Sequence, residues 1–83
     1  MHPDYIMQFT GLKDKNGKEI YEGDILGQHS EPLGYVVYTD GSFRVNTGSE
    51  QQPPSPLNKD RCNRLEIIGN IHENPELITS NGE

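Results

Sequence analysis

Met7-Gln8-Phe9-Thr10-Gly11-Leu12-Lys13-Asp14-Lys15-Asn16-Gly17-Lys18-Glu19-Ile20-Tyr21-Glu22-Gly23-Asp24-Ile25-Leu26 is the stretch that decides the fold. It reads as strand, tight turn, strand, glycine kink and the start of another strand. A two-residue Asn16-Gly17 turn is the strongest short hairpin signal. It would set Asp14 directly opposite Glu19, a like-charge pair that destabilises. A three-residue loop, Lys15-Asn16-Gly17, with Gly17 left-handed in a bulge, shifts the register by one. Lys13 then faces Glu19, Leu12 faces Ile20, and Asp14 faces Lys18 while its side chain caps the turn. Each cross-strand pair is worth roughly 0.2–1 kcal/mol, enough to choose the bulged turn.

Downstream, Glu22-Gly23-Asp24 reads as a sharp bend and Ile25 to about Gln28 as a short strand. His29-Ser30-Glu31-Pro32-Leu33-Gly34 reads as a loop, with Pro32 and Gly34 as breakers. Tyr35-Val36-Val37-Tyr38-Thr39 and Ser42-Phe43-Arg44-Val45-Asn46 form a second hairpin around Asp40-Gly41, a type I′ signal. That register pairs Tyr38 with Phe43 and Val36 with Val45 on the core face, and Val37 with Arg44 on the other. The segment 47–61 contains Pro53, Pro54 and Pro56 and is expected to be a long solvated loop. Leu65-Glu66-Ile67-Ile68-Gly69-Asn70-Ile71 is the last strand, with Gly69 marking a bulge or a close backbone approach. Asn74-Pro75 has a helix-start pattern, but Ser80-Asn81-Gly82-Glu83 ends the chain too soon for more than a turn.

Composition supports a single small β domain over 1–83, with two hairpins in 6–46, the Pro-rich loop in 47–61 and the last strand and turn in 62–78. The 83 residues include nine glycines and six prolines, which supply turn chemistry and remove helix-forming capacity. Only 30% are hydrophobic, so the core is thin. The expected buried set is Phe9, Leu12, Ile20, Ile25, Val36, Tyr38, Phe43, Val45, Leu65, Ile67 and Ile71.

Seven basic residues against thirteen acidic ones give a net charge of −6, which argues against holding duplex nucleic acid through its phosphates. Cys62 is the single cysteine, so no intrachain disulfide is expected. The polar start Met1-His2-Pro3-Asp4-Tyr5 does not resemble a signal peptide, and no apolar run is long enough for a membrane span. A cytoplasmic protein with no membrane partner is therefore expected.

Candidate chemistry is sparse. His2, His29 and His72 lie far apart and none has a partner at metal-ligand spacing. A lone Cys62 is more often a packing residue than a nucleophile. No catalytic, metal or cofactor-binding residue is assigned, and no enzyme activity or cofactor is expected. Glu22 and Asp24 would share a face on a continuous strand, and paired carboxylates can divide acid and base roles. Gly23 between them favours a solvated turn. Tyr21, Glu22 and Asp24 are the weak binding candidates. Tyr35, Tyr38 and Phe43 are of the type that stacks on single-stranded nucleic acid, but the fold needs most of its six aromatic residues.

Two blocks, Met7 to Leu26 and Glu66-Ile67-Ile68-Gly69-Asn70-Ile71-His72-Glu73-Asn74-Pro75-Glu76-Leu77, resemble the YopX-like family of phage and prophage proteins. The resemblance implies an SH3-like small barrel and a bacterial host cell. It implies no reaction. Longer members carry several dozen residues ahead of the Gln8-Phe9-Thr10-Gly11 block, so a form shortened at the N-terminus is expected, with an open edge that favours a homo-oligomer. The combined expectation is an all-β, partly open SH3-like barrel of about five strands. Its expected role is that of a non-catalytic interaction module with a protein partner. The alternatives are a single-stranded nucleic-acid binder and an acidic decoy of a host protein.

Overall fold

A computed structural model describes residues 7–49 and 51–79. Position 6 of the expected hairpin region and the candidate His2 lie outside them, whereas the expected C-terminal turn falls on described residues. Among the described residues are seven strands and two one-turn helices: β1 (Phe9–Lys13), β2 (Glu19–Tyr21), β3 (Asp24–Gln28), β4 (Glu31–Thr39), β5 (Ser42–Asn46), β6 (Ser55–Pro56), α1 (Lys59–Cys62), β7 (Glu66–Asn70) and α2 (Glu76–Thr79). The strands form a five-stranded antiparallel sheet in the order β6-β5-β4-β3-β7 and a separate β1-β2 ribbon. The architecture is all-β, and the sheet does not close into a barrel. No described helix is long and apolar enough to cross a membrane.

The first hairpin takes the bulged turn. Lys13 pairs with Glu19, Gly17 has φ +83°, and Asp14 Oδ1 accepts from the amides of Asn16 and Lys18, each at 2.9 Å. Further along, the register slips so that Phe9 pairs with Tyr21. Gly11 at φ +83° and the Thr10 hydroxyl, which donates to Ile20 O at 2.8 Å, form the irregularity. Thr10 and Leu12 therefore share the inward face. Phe9 lies on the opposite face at 45% exposure, outside the core where it was expected. It packs on Tyr21 with ring centroids 5.3 Å apart.

The second hairpin has the expected register, from Val36–Val45 through Tyr38–Phe43 to Thr39–Ser42 around Asp40-Gly41. Its tip overhangs the core, however. Val36 and Val45 are buried, whereas Tyr38 is 48% exposed and meets Phe43 edge-on at 4.9 Å.

Two segments read as loops are more ordered. His29-Ser30 is a two-residue turn joining β3 to β4, with φ of 53° and 67°. A bulge at Leu33 absorbs the Pro-Leu-Gly sequence, since Leu26 pairs with Gly34 but Gly27 pairs with Pro32. In the Pro-rich segment, Ser55–Pro56 pairs with Val45 and Arg44 at the β5 edge. Asn58 Oδ1 then caps α1 by accepting from Arg61 N at 2.8 Å.

That ordering completes the core. Cys62 joins Ile20, Leu26, Val36, Val45 and Leu65, with Leu12, Phe43, Leu57 and Ile67 packed around them. Leu26 and Cys62 are additions to the expected set, and Ile71 is only half-buried. Ile25, also fully buried, lies outside this cluster and pairs with Tyr35 and Gly69. Gly69 is a close approach as well as a bulge site: a Cβ there would lie 2.7 Å from Asn74 Oδ1 and 3.1 Å from Leu77 Cδ1. Asn74 does not cap α2 with that oxygen, which instead accepts from Asn70 N at 3.3 Å.

Candidate functional site

The three weak sequence candidates fall together at one end of β3. Asp24 Oδ2 accepts from Tyr21 N at 2.7 Å, which makes the Tyr21–Asp24 bend a side-chain-closed turn. The backbone of the bend ties the fold together. Glu22 N donates to Gln8 O at 2.8 Å, Gly23 N to Val36 O at 2.8 Å, and Gly23 O accepts from Ile71 N at 2.9 Å. Burial pushes the Asp24 carboxyl pKa up, against the Tyr21 amide that pulls it down. The Tyr21 hydroxyl donates to Glu19 Oε1 at 3.1 Å, and that carboxylate raises the phenol's pKa. A groove of ≈ 620 Å³ beside the turn is lined by residues including Lys18, Glu19, Asp24, Ile68 and Glu73. Asp24 and Tyr21 are both engaged within the fold, so this end of β3 reads as a structural clasp. Among the described residues, no three His, Cys, Asp or Glu side chains converge on a point that would suit a metal.

Asp14 is the buried polar residue of the described chain, at 4% exposure. Its Oδ2 accepts from Ile67 N at 2.9 Å, while Lys15 N donates to Leu65 O at 2.9 Å. The first hairpin's turn is thereby pinned along β7, and edge groups of that strand are occupied. Burial raises the Asp14 pKa, but the Ile67, Lys18 and Asn16 amides together with the Lys18 charge outweigh it, and the net shift is downward.

The other end of β3 holds a second groove of ≈ 620 Å³ that the sequence reading missed. One wall is the β3–β4 hairpin, with Gln28, His29, Pro32 and Leu33; the other is α1 and the turn leading into β7, with Arg61 and Arg64. Leu33 is 39% exposed. Arg61 Nη1 donates to Ser55 Oγ at 2.8 Å and to Pro56 O at 2.9 Å, which fixes its guanidinium and leaves the other N–H groups for further contacts. Arg64 pairs with Asp60 at 3.2 Å on the open surface, and its carbonyl accepts from Gln28 Nε2 at 3.2 Å. Burial raises the thiol pKa of the neighbouring Cys62, which packs fully buried in the core. The available signal was the pair of arginines three apart beside an Asn58 cap, hidden because the segment read as a loop.

With this geometry in hand, residues 2–79 match the family described as YopX protein. The chain belongs to the YopX family. The chain is also similar to a solved structure, the crystal structure of protein EF1440 from Enterococcus faecalis, at 39% identity and a TM-score of 0.59. The likeness covers 89% of this chain and 55% of that one, so the chain spans about half of the neighbour's length. No curated protein matches it.

Proposed function

We propose that this member of the YopX family is a non-catalytic interaction module, acting in the bacterial cytoplasm in the phage or prophage setting that its family resemblance implies. The groove at the β3–β4 hairpin supports this reading. It offers exposed Pro32 and Leu33 beside two arginines, a mixture of apolar contact and directional donors suited to a partner surface. Its lip, His29-Ser30, holds two non-glycine residues at positive φ, a conformation that the commoner Asn-Gly would adopt more cheaply. Strain of this kind gathers where side chains are kept for contact. Retention of a host macromolecule from lysate on the immobilised chain tests the reading. Consistent failure to retain any would count heavily against it.

A second reading, single-stranded nucleic-acid binding, draws on Tyr38, whose ring is half exposed instead of consumed by the core. A salt-dependent mobility shift is the expected sign. No shift at low ionic strength would end it.

A further inference from the structure

We propose that the groove between the β3–β4 hairpin and α1 docks an extended acidic peptide segment, one in which an aliphatic side chain adjoins a carboxylate. This rests on the interaction-module reading and adds the partner's chemistry.

Charge complementarity carries the choice. The whole chain has a net charge of −6 and repels acidic partners over most of its surface. The lining of this groove reverses that balance, with Arg61 and Arg64 against Glu31. Arg61 is already oriented by Ser55 and Pro56, so little freedom is lost when its remaining donors meet a carboxylate. Among the described residues the Arg64 guanidinium is held by Asp60 alone, and the two side chains are 65% and 86% exposed. A pair that open contributes little, so Arg64 can exchange Asp60 for an incoming carboxylate at small cost. Arginine then accepts the carboxylate through two parallel N–H donors. Leu33, pushed out by the bulge, and Pro32 provide the aliphatic contact next to that point, over the buried Leu65. The walls are two chain segments, 28–33 and 61–65, facing each other along a trough, which suits an extended chain.

The test is a titration of the ¹⁵N-labelled chain with an acetylated, amidated pentapeptide of sequence Ser-Leu-Asp-Leu-Gly, followed by amide and arginine Nε–H shifts. Saturable shifts confined to 28–33 and 61–65 are expected. Replacing the peptide's Asp by Lys should weaken binding at least tenfold, as should Arg64→Glu, an exposed substitution that leaves the melting temperature within a few degrees. Equal affinity for the Asp and Lys peptides, equal affinity of the wild-type and Arg64→Glu chains, or no saturation at millimolar peptide overturns the proposal. A lysate partner retained equally by wild type and Arg64→Glu sinks the groove and leaves the module reading standing. Failure to retain any partner bears on the module reading alone.

Discussion

Replacing Asp14 by Asn should destabilise the fold far more than a surface carboxamide swap does. The carboxylate receives three backbone amides, Asn16 and Lys18 on Oδ1 and Ile67 on Oδ2, each at 2.9 Å. An amide group has one oxygen, so at least one donor must face an NH₂ and lose its acceptor. Hydrogen bonds to a charged group are each worth about 1.5–3 kcal/mol, and an orphaned buried N–H adds to the loss. Relief of carboxylate desolvation returns part of this, leaving a net cost of about 2–3 kcal/mol. For 83 residues the whole stability is about 4–12 kcal/mol. With a urea m-value of about 1 kcal/mol/M for so small a domain, the midpoint should fall by about 2–3 M. Hydrogen exchange supplies the local check, because the Ile67 amide should lose more protection than other β7 amides. The pH dependence follows as well. A folded pKa below the unfolded one means that Asp14 contributes its stability above the unfolded value, about 3.9, and loses it as pH falls through the folded value. Asp14→Asn should flatten that acid limb. A midpoint shift under about 0.5 M, with Ile67 protection unchanged, would refute the reasoning.

Asp24 should behave with the opposite sign. Its folded pKa is raised by burial, so its contribution is fully present below the unfolded value and lost as pH rises through the folded one. Asp24→Asn keeps an oxygen for Tyr21 N and should raise the melting temperature at pH 7 but not at pH 3; a loss at pH 7 would refute the assignment. Gly27→Ala should cost about 1–3 kcal/mol or more, since a Cβ there collides with the Glu31 carbonyl across the hairpin; chemical denaturation at no cost would show that the backbone can yield. Replacing His29-Ser30 by Asn-Gly should stabilise the domain by about 1–2 kcal/mol through relief of the two positive φ angles, and an unchanged melting temperature would remove the strain argument.

The parts of this fold that were legible in the sequence are those decided by neighbours along the chain. The Lys15-Asn16-Gly17 bulged turn and the Asp40-Gly41 register follow from cross-strand pairing, and Gly69 announced itself as the one small residue in an isoleucine-rich strand. The hidden parts depend on contacts made at long range. Ser55–Pro56 becomes a strand only because the β5 edge is there to pair with it, and α1 brings Cys62 into the core although its composition reads as loop. Asp14 was legible as a turn cap, but its bond to Ile67 spans 53 positions, beyond any local pattern.

His29-Ser30 is a different kind of miss, and it bears on function. Local signals elsewhere agree with the structure formed: glycine stands at the positive-φ positions of the first hairpin's turn and of the Tyr21–Asp24 bend. At the β3–β4 turn they conflict, because serine does not favour the left-handed region, histidine adopts it less cheaply than glycine, and Pro32 with Gly34 argues for a loop. A chain whose core is thin gains nothing in stability from that choice. A local rule broken in a sequence that otherwise follows such rules is where a functional site is to be sought first. Here His29 lines the groove together with Leu33 and Arg64, both exposed. By contrast, Asp24 and Tyr21 occupy a turn in which every local preference is obeyed and their polar atoms are engaged. The conflict therefore favours the hairpin groove over the carboxylate turn as the surface on which the proposed partner should be sought.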